Sequence, residues 1–238
     1  MSGRSPSAAR LLERGADELA RAGVDNARRE AELLLGYALG CSSESLLAHL
    51  PEPVNPEAAG YFFHLLERRR GRVPLQYLIG EQEFWGLSFR VTPSVLIPRP
   101  ETEGVVEAAI ERLSALPLRT ARLADVGCGS GCIAVALARE LPLARVLATD
   151  ISPAALAVAR ENAERHGVGA RISFLQGDLL DPLLEEEGAA PLDAVLSNPP
   201  YVAEPELQSL QPEVREHEPR VALVGGPEGL EVIQRLLP

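Results

Sequence analysis

The sequence predicts an α/β protein: a parallel sheet with a small helical bundle ahead of it. Three observations carry this. The first 72 or so residues hold only helix-period patterns. From Ala121 onward, short apolar strands alternate with helices. A glycine-rich turn, Gly127-Cys128-Gly129-Ser130-Gly131, stands between the first of these strands and its helix. Such alternation implies parallel strands covered by helices on both faces.

In the bundle, Leu11, Leu12, Ala16, Leu19 and Ala20 recur at helical spacing and Gly23 ends the element. Asp25 is positioned to cap a second helix with Ala31, Leu34, Leu35 and Ala38 on one face, stopping at Gly40. Ser42 or Ser43 opens a short third helix to Leu50. Asn55-Pro56, a cap followed by a first-turn proline, opens a fourth to Arg70. The run Arg68-Arg69-Arg70-Gly71-Arg72 reads as a solvated last turn, where cations suit the helix dipole.

Phe84 to Val91 is aromatic and β-prone around Gly86, the pattern of a hairpin. It reads as a join between two domains, with Trp85 as core. Ile97-Pro98-Arg99-Pro100-Glu101-Thr102-Glu103 leads into a helix from about Glu101 to Leu116. Two flanking prolines hold the Arg99 side chain in a defined direction. Strands are expected at Arg122–Val126, Ala144–Thr149, Ile172–Gln176 and Leu192–Leu196. The helix from Pro153 to about His166 is capped by Ser152 and ended by Gly167.

Bulk properties narrow the function. The chain has 238 residues, 46% hydrophobic and 24% charged, as expected of a soluble globular protein. No apolar run approaches the roughly 20 residues that span a bilayer, and the first residues lack a signal-peptide core. The three cysteines, Cys41, Cys128 and Cys132, form no disulfide pattern, which predicts a cytoplasmic protein. No histidine or second cysteine pair stands near Cys128 and Cys132, so no metal is expected. The net charge of −11 argues against broad binding to a phosphate backbone; no membrane and no sequence-specific nucleic acid partner is expected.

Two motifs carry the chemistry. The glycines after Asp125-Val126 allow a tight turn and close backbone approach to a ligand. Asp150 follows Gly131 by 150 − 131 = 19 residues, at the end of the next strand, where a carboxylate accepts ribose hydroxyls. Asp125 beside the loop disfavours a pyrophosphate but suits a ligand with positive charge. S-adenosylmethionine has a ribose, a sulfonium and an ammonium group. At the end of the last strand, Ser197-Asn198-Pro199-Pro200-Tyr201 sets an amide, a stiff turn and an aromatic where ligands sit in open sheets. Two acceptors beside an aromatic suit a planar group bearing an NH2.

The run from Asp125 to Gly131, then Asp150, then Asn198-Pro199-Pro200-Tyr201, resembles a Rossmann-like class I S-adenosylmethionine-dependent methyltransferase acting on a planar amino group. The helical bundle, the segment Ile97 to Glu103, and Glu218-Pro219-Arg220-Val221-Ala222-Leu223-Val224-Gly225-Gly226 narrow it. Together they resemble the bacterial peptide chain release factor glutamine methyltransferases, the HemK/PrmC family. The resemblance implies a substrate-docking helical domain over 1–72, a hairpin linker over 73–97 and the methyltransferase domain over 98–238. It implies that Asp125, Gly127, Cys128, Gly129, Ser130, Gly131, Asp150, Asp178, Leu179 and Asn198 hold the cofactor. Asn198, Pro199, Pro200, Tyr201 and Arg99 meet the substrate, with Asn198, Pro199 and Tyr201 catalytic. The substrate implied is the glutamine of the Gly-Gly-Gln tripeptide in release factors, methylated on its side-chain amide nitrogen (N5).

The family's domain carries further strands after the helix that here starts near Glu228. C-terminal strands are therefore expected to be missing, leaving Leu192–Leu196 as an edge. Leu179 stands where some relatives have an aromatic. Rival readings are a ribosomal-protein glutamine methyltransferase, an adenine N6-methyltransferase on nucleic acid, and a non-catalytic cofactor-binding adaptor.

Overall fold

The computed structural model describes residues 5–114, 120–184 and 190–237. The chain divides into two compact units, Met1–Ile79 and Gly80–Pro238.

The first unit is helical: α1 (Ala8–Arg21), α2 (Ala27–Leu39), α3 (Ser43–Ala48), α4 (Pro56–Arg70) and α5 (Leu75–Ile79). Its core gathers Leu11, Leu12 and Leu19 of α1, Leu34 and Leu35 of α2, and Phe62, Leu65 and Leu66 of α4. Each such burial stabilises by about 1.5–3 kcal/mol. The buried stripe of α1 runs through Ala8, Leu11, Leu12, Gly15 and Leu19. Ala16 packs against this core as expected, whereas Ala20 is exposed; Gly15 joins the stripe because Phe62 packs there, and a Cβ on it would stand 2.7 Å from the ring.

Caps follow the sequence closely, with one correction. Ser42 accepts from Ser45 N–H and Asn55 Oδ1 from Ala58 N–H, at 3.3 and 2.8 Å. Asp25 does not cap α2; Asn26 does, at φ 54° and with no side-chain bond. Gly40 closes α2 in the left-handed conformation, as expected. The arginine run is the last turn of α4 and largely exposed at Arg68 and Arg70, as expected, but Arg69 is not solvated. Arg69 is buried and pairs with Glu30 of α2, Arg70 reaches Glu18, and Arg72 donates to the Gly23 carbonyl at the end of α1 (2.5 Å). Burial of Arg69 is tolerated because its guanidinium forks onto both Glu30 oxygens.

The second unit opens on the hairpin β1 (Glu81–Phe84) and β2 (Leu87–Arg90). Trp85 and Gly86 both have positive φ (53° and 65°), the two-residue turn that matches strand twist. Phe84 and Phe89 are buried in the core of this unit, so the hairpin belongs to it, and α5 occupies 75–79 of the expected linker. A single 3-10 turn, Pro100–Thr102, precedes α6 (Glu103–Ser114); the expected helix end at Leu116 lies outside the described residues.

Then come β3 (Arg122–Val126), α7 (Cys132–Glu140), β4 (Arg145–Asp150), α8 (Pro153–Arg165), β5 (Ile172–Gln176), α9 (Asp181–Leu184) and β6 (Ala194–Ser197). The sheet is parallel, in the order β5-β4-β3-β6. One face, with Leu123, Val146, Ala148, Ile172 and Leu196, packs under α6, α7 and α8. The opposite face is covered unevenly among the described residues: Ala124, Val126 and Thr149 are buried, whereas Val195 on β6 is 49% exposed. The reason is topological. The chain steps outward from β3 to β4 to β5, and successive crossovers in one direction put their helices on one face. The return to β6 reverses that direction, and 185–189 in this connection lie outside the described residues. Among the described residues β6 pairs with β3 alone.

Beyond β6 the chain forms β7 (Val202–Ala203), α10 (Pro212–His217), β8 (Val224–Gly226) and α11 (Glu231–Leu236), with β7 and β8 parallel. This small sheet was not predicted, since strands of two and three residues leave no periodicity to read. No helix among the described residues is long and apolar enough to cross a membrane.

Candidate active site

Strand order reverses between β3 and β6, and in such sheets ligands bind at the carboxyl ends beside the reversal. A cavity of about 520 Å³ lies there. It is lined by the glycine loop after β3, Asp150 after β4, Asp178 and Leu179 after β5, and Asn198 and Pro200 after β6. Four strand ends thus supply one site.

The glycine loop is held from behind. The Thr149 carbonyl accepts from both Gly127 and Cys128 N–H at 2.9 Å. Asp150 Oδ2 accepts from Gly129 N–H and Oδ1 from Ser152 N–H, each at 2.9 Å. Asn162 of α8, fully buried, donates to the Ser130 carbonyl at 2.9 Å. Gly127 and Gly129 sit at φ 71° and 53°, and a Cβ on either would meet nothing within 4 Å. Their bare backbone therefore opens on free space. Gly131 differs: its φ is 78° and a Cβ would stand 3.0 Å from Ala159 of α8. It serves helix packing, and it is not among the lining residues.

Asp125 does not line the cavity either. It is fully buried, its Oδ2 accepts from Ala134 N–H in the first turn of α7 (3.0 Å), and Oδ1 has no partner. Burial pushes its carboxyl up to about 7, the Ala134 bond opposes this, and Asp150 adds to it. Burial also raises Asp150, against the Ser152 and Gly129 N–H groups that favour its charged form. Burial holds the Cys128 thiol well above its usual value and that of Cys132 at about 12. At neutral pH both are protonated, small apolar wall groups.

Asp178 lines the cavity with its Oδ2 on Arg235 of α11 at 2.5 Å. Leu179, at φ 50°, offers its carbonyl to Thr149 Oγ1 (2.9 Å). The amide of Asn198 donates from Nδ2 to Thr102 Oγ1 at 3.1 Å. Ser197 Oγ donates to the Val126 carbonyl at 2.7 Å, tying the two strand ends together.

Three predicted substrate residues stand off the cavity. Pro199 and Tyr201 are not among its lining residues, and Tyr201 is 62% exposed. Arg99 spends its guanidinium on buried Glu218 (2.5 Å), whose other oxygen accepts from Ile97 N–H (3.2 Å). The pair joins the Ile97–Glu103 segment to the Glu218–Gly226 segment. The latter holds the turn after β6: a Cβ on Gly225 would stand 2.6 Å from the Pro200 carbonyl oxygen, and one on Gly229 2.5 Å from that of Tyr201.

Sequence reasoning missed several lining residues: Thr102, Ile151, Ser152, Val221, Val232 and Arg235 among them. Ile151 was findable, since it follows Asp150 directly and is an exposed isoleucine (53%) at a strand end. Val232 and Arg235 left no signal, being ordinary residues of a short helix.

Two family models match the chain: the PrmC N-terminal domain over residues 10–80 and the methyltransferase small domain over 107–214. The chain is 53% identical over 220 residues to the release factor glutamine methyltransferase of Moorella thermoacetica, covering 92% of this chain and 75% of that protein. The enzyme of the same name from Geobacter sulfurreducens is 49% identical, covering 92% and 74%. That of Bacillus subtilis is 44% identical over 209 residues, covering 87% and 71%. With such identity over three quarters of its relatives' length, this chain belongs to the release factor glutamine methyltransferase family.

Proposed function

We infer that the chain transfers the methyl group of S-adenosylmethionine to a glutamine of a peptide chain release factor. One observation carries the reading: in a chain of this family, the open glycine loop and Asn198 face a single cavity at the strand-order reversal. The residues present fit the cofactor. Its volume lies in the range of small-molecule sites, about 300–1,000 Å³. Gly127 and Gly129 leave room for a ligand against their backbone, and Asp150 retains lone pairs for ribose hydroxyls beyond its two N–H bonds. Asp178 and Leu179 would border the adenine, and Ser130 and Cys128 the remainder.

Bound S-adenosylmethionine supplies an electrophilic methyl on a sulfonium. The protein's task is to present a poor nucleophile, since an amide nitrogen's lone pair is delocalised. Asn198 Oδ1 accepts one N–H bond of the substrate amide; the Pro199 carbonyl, which does not line the cavity, is proposed as the second acceptor once the substrate enters. They orient its nitrogen and stabilise the positive charge that develops there. Alignment of the reacting atoms at about 3–3.5 Å supplies much of the rest. The methylated nitrogen is acidic and releases its proton to water. Tyr201, exposed beside this turn, would close over the flat amide only when the substrate is bound.

The substrate is the Gly-Gly-Gln glutamine, modified at N5, and the helical segment 1–72 docks the release factor. Net charge supports a protein partner over a phosphate backbone. Free thiols at Cys41, Cys128 and Cys132 support a cytoplasmic setting.

The test is mass spectrometry of an unmodified bacterial release factor incubated with the chain and S-adenosylmethionine. One methyl on the Gly-Gly-Gln glutamine is expected. A release factor left unmodified while the chain binds cofactor would refute the reading.

A further inference from the structure

We propose that Thr102 is a positioning residue for methyl transfer: its hydroxyl takes up the nitrogen end of the Asn198 amide, so that Oδ1 faces the cavity as the acceptor. The inference rests on the reading above and goes one step further, to what holds Asn198.

The amide of asparagine has a donor end and an acceptor end of nearly equal shape. A substrate NH2 brings two donors, so only the oxygen end is of use to it. With Nδ2 turned into the cavity, donors would face donors. Something must therefore occupy the nitrogen end. Thr102 Oγ1 lies 3.1 Å from Nδ2. It is the one hydrogen-bond partner of that side chain among the described residues, and Oδ1 has none. Thr102 is buried and, like Asn198, lines the cavity. A hydroxyl accepts from Nδ2 without adding a charge.

The hydroxyl is also held independently of its partner. Thr102 N–H donates to the Arg99 carbonyl at 3.0 Å. Arg99 and Ile97 are fixed on Glu218. Glu103, the next residue, accepts from Trp85 N–H in the hairpin turn at 2.7 Å. The segment from Ile97 to Glu103 is thus a bracket pinned at both ends, with its one free hydroxyl aimed at Asn198. This gives the Pro-Arg-Pro-Glu-Thr-Glu motif a purpose: it fixes a side chain 96 residues away. Rigid support of this kind separates a site that is present from one that works.

The test compares the full chain with Thr102→Val and Thr102→Ser, using an unmodified bacterial release factor. Valine keeps the shape and removes the acceptor; serine keeps the hydroxyl. For Thr102→Val, kcat is expected to fall about 10- to 100-fold, less than loss of the acceptor itself. The release-factor KM and the S-adenosylmethionine Kd should stay within about threefold, and Thr102→Ser should recover most of kcat. An unchanged kcat in Thr102→Val would overturn the inference. So would equal losses in both variants, or a loss confined to KM or cofactor Kd. If the wild-type chain itself leaves the release factor unmodified, the functional reading fails and the inference with it.

Discussion

The two banks of the cavity are built on different physical scales. The cofactor bank comes from strand ends that are neighbours in one repeating strand–turn–helix pattern. The Gly127 loop, Asp150 and Ser152 bond to one another across at most about one repeat, as Gly129 N–H to Asp150 shows. The transfer bank, around Asn198, depends on a segment far away in the chain: Thr102 is 96 residues back, and its segment is in turn tied to Glu218, 121 residues beyond Ile97. On the proposed function, local order would cradle the cofactor, whereas presenting the substrate amide would draw on segments from across the domain. The two banks should therefore fail separately.

The largest separation is expected for Asn198→Ala. It should lower turnover by about 10²- to 10³-fold, the loss typical of one stabilising polar group, while cofactor affinity measured by calorimetry falls far less. Equal losses would mean that the banks are not independent.

Glu218→Ala attacks the bracket behind the transfer bank. It leaves Ile97 N–H without its partner and the partly exposed Arg99 guanidinium to water, a loss of about 1–3 kcal/mol. Urea unfolding would read this loss, and turnover should fall with it.

A paired glycine test sharpens the comparison. Gly225→Ala forces a Cβ onto the Pro200 carbonyl oxygen. Displacing that turn by a fraction of an ångström should cut turnover roughly tenfold or more with cofactor affinity kept. Gly131→Ala meets Ala159 at positive φ and should instead cost about 1–2 kcal/mol of stability. Identical profiles for the two variants would erase the distinction.

The effect that leaves both banks in place belongs to Asp125 and is read through pH. Its folded value of about 7 lies above the unfolded carboxylate value. The folded state therefore holds a proton that the unfolded state releases. Its contribution to stability is fully present below about pH 4, declines as pH rises to about 7, and is flat above, at a slope of at most about 1.4 kcal/mol per pH unit. The difference in stability between wild type and Asp125→Asn should therefore shrink across this window. A difference that grows in favour of wild type from pH 4 to 7 would contradict the burial that raises the carboxyl.

Much of the fold was legible because it is written in local patterns. The bounds of β3 and β5 match the apolar runs, and Asn55-Pro56 starts α4 because cap and first-turn proline satisfy local requirements. The hairpin turn followed from a glycine between aromatic runs. The candidate site was legible in its strand-end residues for the same reason. Arg99 was not: its proline neighbours were visible, but its partner Glu218 lies 119 residues on. Arg69 was misread as solvated because Glu30 lies 39 residues back.

The sequence by itself determined the longer helices, the order of the four main strands, the glycine loop and the amide at the end of β6; the short helices α5, α9 and α10 were not read from it. What was read depends on period, caps and backbone freedom within a few residues. Only the tertiary structure decided how evenly each face of the sheet is covered, that Asp125 accepts from Ala134 of α7 and does not line the cavity, and that Thr102 stands behind Asn198 with Glu218 bracing its segment. Those outcomes depend on which distant groups share a desolvated space. There an unpaired polar atom is costly and a paired one is fixed, and local pattern carries no record of the partner.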